Sequence, residues 1–314
     1  MDKNVRVPKT VSAEAQQMLL GHSNSRPPAD LREHRDMCAR VQQELGAALL
    51  ERHGVKMANA LIAGVPVLIF TPLQMPPEHR DAVLLNLHGG GFTVDAGSVT
   101  ENVPIAAYAQ VRVVAALYRL SPEHAFPGAV DDAQAVYRAL LSDYRPEKIG
   151  LYGTSAGACL CAQLLVRIRE TEEPLPRALG FFTGTADLSR SGDTEYFFRP
   201  DGDPALIEKQ FSSYLGGQDR LCPRVSPIFS DLNGLPPTLC IAGTRDFMLS
   251  QTCLFHQALL HAGVDAQLLV FEAMPHAHWI YLDLPESDRA FQAMAVFFRK
   301  HLGLANDQLG GNGR

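Results

Sequence analysis

The chain has 314 residues, 46% of them hydrophobic, enough to bury one large core of the size common in single-domain α/β proteins. With a formal net charge of −6 and a pI near 6.0 it offers no basic face to nucleic acid, and no block of like charges marks an interaction tail. The N-terminal "MDKNVRVPKTVSAEAQQMLL" lacks the apolar run of a signal peptide and no later stretch approaches a membrane span, so a cytoplasmic protein is expected.

In chain order, residues 11–52 read as amphipathic helix, broken by the turn-rich "GHSNSRPPAD" at 21–30. From residue 64 onward, β-like apolar runs alternate with helical patterns. Strands are expected at "GVPVLIF" (64–70), "AVLLNLH" (82–88), "VRVVAAL" (111–117), "KIGLYG" (148–153), "RALGFF" (177–182), "TLCIAG" (238–243) and "AQLLVF" (266–271). Helices are expected near 100–110, 128–143, 155–170, 250–262 and 286–302. Several of the runs are apolar throughout rather than alternating, the mark of strands buried on both faces. That implies an α/β fold: a mostly parallel sheet with helices on each side. Segment 184–222, rich in Ser, Gly, Asp and aromatics with a short helical pattern at 204–215, reads as an excursion over the sheet. The expected organisation is an N-terminal helical segment over 1–55, a main domain over 56–304 carrying that excursion, and a disordered tail over 305–314.

The cysteines at 38, 159, 161, 222, 240 and 253 show no C-x-x-C spacing. Cys159 and Cys161 on one helix diverge by about 200°, which argues against a shared metal, so reduced thiols and no metal site are expected. "PDGDP" at 200–204 lacks the remaining ligands of a calcium loop and reads as a turn and helix cap.

"GLYGTSAGACL" (150–160) puts Ser155 between Gly153 and Gly157 where a strand turns into a helix. Small flanking residues permit the sharp turn that exposes a serine hydroxyl, and the helix N-terminus adds N–H donors and partial positive charge. The plainer reading of these residues alone is a Gly-rich turn. "LNLHGGGFTVD" (85–95) ends another strand with His88 and three glycines, whose backbone can converge on an anion. Neither stretch has dinucleotide or P-loop spacing. An acyl-transfer serine needs a base, and the base an orienting acid, in the order serine, acid, histidine. Downstream, Asp246 follows one apolar strand and His276 and His278 follow the next. His88, beside the glycines, is assigned with Gly89 to holding that loop.

"HGGGF", "YRLSPEHAFPGAVDDA", "GTSAG", the Asp246 segment and "MPHAHW" together resemble the hormone-sensitive-lipase-like α/β-hydrolases, the bacterial family IV esterases, over about residues 60–303. The resemblance implies an α/β-hydrolase fold with eight strands and a helical cap built from the N-terminal segment and the 184–222 insertion. It also implies an oxyanion hole of the Gly90, Gly91 and Ala156 N–H groups. The activity implied is a cofactor-free serine carboxylic-ester hydrolase for short to medium acyl esters, with Ser155 as nucleophile, His276 as base and Asp246 as its orienting acid. A lactone hydrolase of the same fold is the alternative, and a non-catalytic ligand-binding homologue, like the plant gibberellin receptors, a remoter one. A small-molecule ester is the expected partner, along with a homodimer through the last strand at 266–271. Thr154 and Ala158, where most relatives carry Asp and Gly, resemble the GTSAG-type subgroup. His278 takes the family's aromatic position and is expected to stack flat beside Trp279, leaving His276 as the favoured base. Glu123, Asp131 and Asp132 match family positions but read as helix-entry charges. Tyr196, Phe197, Phe198, Phe211 and Tyr214 either line an acyl pocket or pack the cap.

Overall fold

The apolar runs assemble into one eight-stranded sheet, ordered β1-β2-β4-β3-β5-β6-β7-β8, in a computed structural model that describes residues 7–21, 28–198 and 211–304. The strands are β1 (Val55–Ile62), β2 (Val65–Pro72), β3 (Val83–Leu87), β4 (Arg112–Ala116), β5 (Ile149–Thr154), β6 (Ala178–Phe182), β7 (Thr238–Gly243) and β8 (Ala266–Phe271). β2 runs antiparallel to β1 and β4, and all pairings from β4 to β8 are parallel. β3, β5, β6 and β7 are buried along their whole length, as their predominantly apolar character requires when helices cover both faces.

One face carries α3 (Asn102–Ala109) and α9 (Pro285–His301), whose Val103, Ile105, Met294 and Phe298 pack on Leu84, Val113 and Tyr152. The other carries α4 (Gly128–Asp143), α5 (Ala156–Glu170) and α7 (Leu249–His261), which bury Val136, Leu160 and Phe255 against Leu85, Leu151 and Phe181. All six parallel strands therefore end on one edge, where the loops after β3, β5, β7 and β8 converge.

The residue pattern missed β1. Its burial is poor after Val55, because it is an edge strand paired only to β2 and lightly covered, so "VKMANALI" shows no clean alternation. Its pairing to β2 closes through Ala63 and Gly64 at φ 50° and 81°, the two positive φ values of a tight hairpin turn.

The N-terminal segment forms α1 (Ala13–Gly21) and α2 (Leu31–His53). Ser12 anchors α1 to α9, its N–H and hydroxyl both donating to the Glu286 carboxylate at 2.9 and 2.8 Å. Asp30 caps α2 by accepting the Glu33 N–H at 2.9 Å, and Gly54 ends it in the left-handed conformation. In the excursion, α6 (Asp193–Phe198) and residues 211–215 are helical. The expectations for 200–204, for the first part of 204–215 and for the 305–314 tail lie outside the described residues.

Candidate active site

β5 ends at Thr154 and α5 begins at Ala156, leaving Ser155 at φ 59°, ψ −119°, a conformation an L residue adopts only under constraint. The constraint is close packing. A Cβ on Gly157 would lie 1.8 Å from the Leu87 carbonyl oxygen, so only glycine lets the start of α5 touch the end of β3. The Ser155 N–H donates to the Phe182 carbonyl at 2.9 Å and fixes the turn against β6.

The loops after β7 and β8 bring Asp246 and His276 to this serine. His276 Nε2 is 3.0 Å from Ser155 Oγ, and His276 Nδ1 is 2.8 Å from Asp246 Oδ1. In this network Nδ1–H donates to the acid and Nε2 accepts from the serine hydroxyl, a tautomer assigned from the partners. Asp246 is wholly buried. Burial alone would raise its carboxyl, but the His276 ring, the Thr183 hydroxyl and the Met248 N–H outweigh that and hold it below the usual carboxylate range.

Thr183, unmarked in the sequence reading, ends β6 at φ 44°; its hydroxyl donates to Asp246 Oδ2 and lies 3.2 Å from His276 Nδ1. Phe247 is a second unread contact, its ring centroid 4.4 Å from that of His276. The one sequence signal for Thr183 is its place just past an apolar strand.

The glycine loop lies alongside. Gly90, at φ 118°, accommodates the Val94 carbonyl 2.0 Å from where a Cβ would stand. Among the described residues nothing accepts a hydrogen bond from the N–H groups of Gly90, Gly91 or Ala156, so three donors stand unspent near Ser155. His88 is buried under this loop. Its ring stacks on Tyr118 with centroids 4.2 Å apart, its Nδ1 is 2.8 Å from the Gly89 carbonyl, and the Tyr118 hydroxyl donates to the His88 carbonyl at 2.6 Å. A Cβ on Gly89 would come within 2.8 Å of the Thr154 carbonyl, which seats the loop directly against the elbow.

A family model described as the alpha/beta hydrolase fold matches residues 84–280. An acetyl-hydrolase of Streptomyces hygroscopicus is 33% identical over 235 residues, covering 73% of this chain and 79% of the relative. A carboxylesterase of Mycobacterium tuberculosis is 29% identical over 235 residues, 69% and 72% of the two chains. Among solved structures, an esterase superposes with a TM-score of 0.85 at 32% identity over 96% of this chain and 98% of its own. An esterase from the bacterial hormone-sensitive lipase family reaches 0.79 at 31% identity, over 89% and 94%. The chain belongs to the hormone-sensitive-lipase-like α/β-hydrolases. As a member it is an enzyme of the carboxylesterase class.

In this hydrolase a cavity of about 550 Å³ opens onto Ser155 and His276. Its lining includes Met37, Cys38 and Val41 of α2, together with Phe247 and Tyr281. None of the five aromatics of the excursion is among its described lining. Tyr214 stacks on Phe92 with centroids 3.6 Å apart and Phe211 meets the same ring edge-on, so these two pack the fold, while Tyr196, Phe197 and Phe198 are exposed.

His278 starts the short α8 (His278–Tyr281) and makes no contact with Ser155. Its ring is buried between Phe271 and Trp279; against Trp279 it stands edge-on at 77°, not flat as the sequence suggested. Edge-to-face contact sets the edge of one ring against the π-face of the other, the arrangement aromatic pairs favour over a sandwich. Glu123, Asp131 and Asp132 pair with Arg35, Arg167 and Arg119, and Asp132 also accepts the Arg119 N–H at 2.9 Å. Among the described residues no three metal-ligating side chains come together, no helix is long and apolar enough to cross a membrane, and the six cysteines are unpaired.

Proposed function

We propose that the protein hydrolyses short to medium acyl esters through an acyl-enzyme on Ser155. The observation that carries this reading is the hydrogen-bonded chain Ser155–His276–Asp246 opening onto a cavity beside three unspent N–H donors. The Ser155 hydroxyl attacks the ester carbonyl as His276 Nε2 takes its proton. The N–H groups of Gly90, Gly91 and Ala156 stabilise the tetrahedral oxyanion, roughly 3–4 kcal/mol for each donor in a comparable site. His276 then protonates the leaving alcohol, and water, activated by the same imidazole, cleaves the acyl-serine. Asp246, held by Thr183 and the Met248 N–H, keeps His276 in the tautomer that accepts from serine. His88 and Gly89 hold the glycine loop against the elbow.

The α2 side chains over the cavity support the reading of residues 1–55 as part of a cap, with 184–222 as the remainder. Thr154 and Ala158 support reading the chain as one of the GTSAG-type subgroup. A series of p-nitrophenyl esters of increasing acyl length tests the substrate class. Each methylene adds up to about 0.8 kcal/mol of binding until the cavity is full, so kcat/KM is expected to rise and then fall beyond about eight carbons. A maximum on long-chain esters would contradict it.

Among the described residues the outer edge of β8 is unpaired, and Leu269 and Val270 are each 36% exposed. A homodimer joined there is expected to scatter light as twice 34.3 kDa, and a monomer mass at all concentrations removes it. A cytoplasmic location fits six cysteines left unpaired, and cell fractionation checks it.

A further inference from the structure

Glu101 is completely buried at the point where three segments of the site meet. Its Oε1 accepts from the hydroxyl of Thr154, one residue before Ser155, and from Trp279 Nε1–H at 2.9 Å, three residues after His276. Its Oε2 accepts from Asn86 Nδ2–H at 3.3 Å, on β3 two residues before His88. The network continues inward. Asn86 Oδ1 accepts from Asn102 at 2.9 Å, while Asn102 donates to the Ser98 carbonyl at 2.8 Å and accepts from the Tyr152 hydroxyl. One side chain thus touches the strand leading to the glycine loop, the serine elbow and the histidine loop.

This arrangement is costly. Among the described residues no cationic side chain pairs with Glu101, while the Asp95 carboxylate further disfavours its charge. Burial pushes the Glu101 acid up to about 7 even though Thr154, Trp279 and Asn86 all donate to it. Replacing a buried hydrogen-bonded group together with its partners by apolar groups of the same shape is often nearly neutral. The hydroxyl, indole and amide donors could each have been removed with it. A carboxyl kept here contributes geometry: its two oxygens collect donors from β3, from the end of β5 and from α8, a buried tie added to the Ser155–His276 bond and the Gly89–Thr154 contact.

We infer that Glu101 is a positioning residue, a buried clamp that holds the Ser155 elbow, the His276 loop and the Gly90–Gly91 loop in one mutual geometry and thereby sets kcat. The inference rests on Ser155 acting as nucleophile and His276 as base. Misplacing reacting groups by about 1 Å costs on the order of 10²-fold in rate without requiring a change in substrate affinity.

The test compares the parent with Glu101→Leu, Glu101→Gln and Ser155→Ala on p-nitrophenyl acetate, with the melting temperature of each. Glu101→Leu leaves three buried donors without their acceptor and is expected to melt below the parent, and its folded population to lose about 30- to 100-fold in kcat with KM within about threefold. Glu101→Gln, whose amide oxygen still accepts from Thr154 and Trp279, is expected to recover to within about fivefold of the parent. A role in stability alone makes kcat of the folded protein independent of the substitution. A folded Glu101→Leu with kcat within about threefold of the parent therefore overturns the inference, as does a Gln variant no better than Leu. Should Glu101→Leu fail to fold, Trp279→Phe removes one of the three bonds alone: about a fivefold loss in kcat at unchanged KM supports the clamp, and an unchanged kcat overturns it. Ser155→Ala separates the two readings, because activity surviving there removes the nucleophile assignment, whereas its loss beside fully active Glu101 variants removes only the clamp.

Discussion

Ser155→Ala is expected to lower kcat on a chromogenic ester by roughly 10⁴- to 10⁶-fold while leaving KM within a few-fold, the scale seen when a serine triad loses its nucleophile. The expectation follows from position. A serine hydroxyl in water is a weak nucleophile, but Ser155 Oγ lies 3.0 Å from His276 Nε2, at the N-terminus of α5 and at the floor of the cavity. The substitution deletes one oxygen, and the elbow persists because its shape comes from Gly157 packing against Leu87 and from the Ser155 N–H bond to Phe182. Steady-state rates with the circular-dichroism spectrum of the variant check both halves of the expectation. Residual hydrolysis comes from the oxyanion donors and substrate binding alone.

His276→Ala is expected to cost several orders of magnitude in kcat, and His278→Phe less than about tenfold, or ~1.4 kcal/mol. The two rings lie two residues apart but face different surroundings. His276 bridges Ser155 and Asp246, whereas His278 is enclosed by Phe271 and Trp279, and neither of its nitrogens meets a hydrogen-bond partner of good geometry among the described residues. The acid limb of the rate profile, which reports a base that must be neutral, is expected to persist in His278→Phe. Stability distinguishes the rings in the opposite direction. Burial pushes His278 down to about 4 from an ordinary 6.5, so the fold favours the neutral imidazole. Its contribution is complete above pH 6.5 and is lost as the pH falls toward 4, up to about 3 kcal/mol. Urea titrations across that range are expected to show a shallower acid loss for His278→Phe than for the parent. A kcat that collapses in His278→Phe and survives in His276→Ala would move the base to His278.

The fold was legible where burial is uniform. Predominantly apolar runs without polar alternation, such as "VLLNL" and "TLCIAG", announced the central parallel strands, and the seven runs read from residues all became strands. β1 escaped because a lightly covered edge strand needs few apolar residues, and its hairpin turn uses Ala63 rather than Asn or Asp. Within the site, the residues that stand at strand ends in chain order were legible: Ser155, Asp246 and His276 are brought together across 121 and 30 residues of separation. Thr183, Phe247 and Glu101 were not, because their significance lies in contacts across the sheet that no local pattern encodes. Glu101 in particular reads as an ordinary acid at the start of a helix until Thr154, Trp279 and Asn86 are seen to converge on it. The orientation of His278 depended likewise on where Trp279 lies, bonded to Glu101 and packed edge-on to Phe182.

The most direct measurement of the account is covalent capture of the nucleophile. The protein is incubated with a small organophosphate, digested, and mapped by mass spectrometry while ester hydrolysis is followed in parallel. A serine activated by a neighbouring base reacts far faster than serines on the surface. The expected result is one phosphoryl adduct, confined to Ser155, accumulating in step with the loss of activity and absent from His276→Ala on the same time scale. Inactivation with the adduct on another residue, or full activity with Ser155 quantitatively modified, would contradict it.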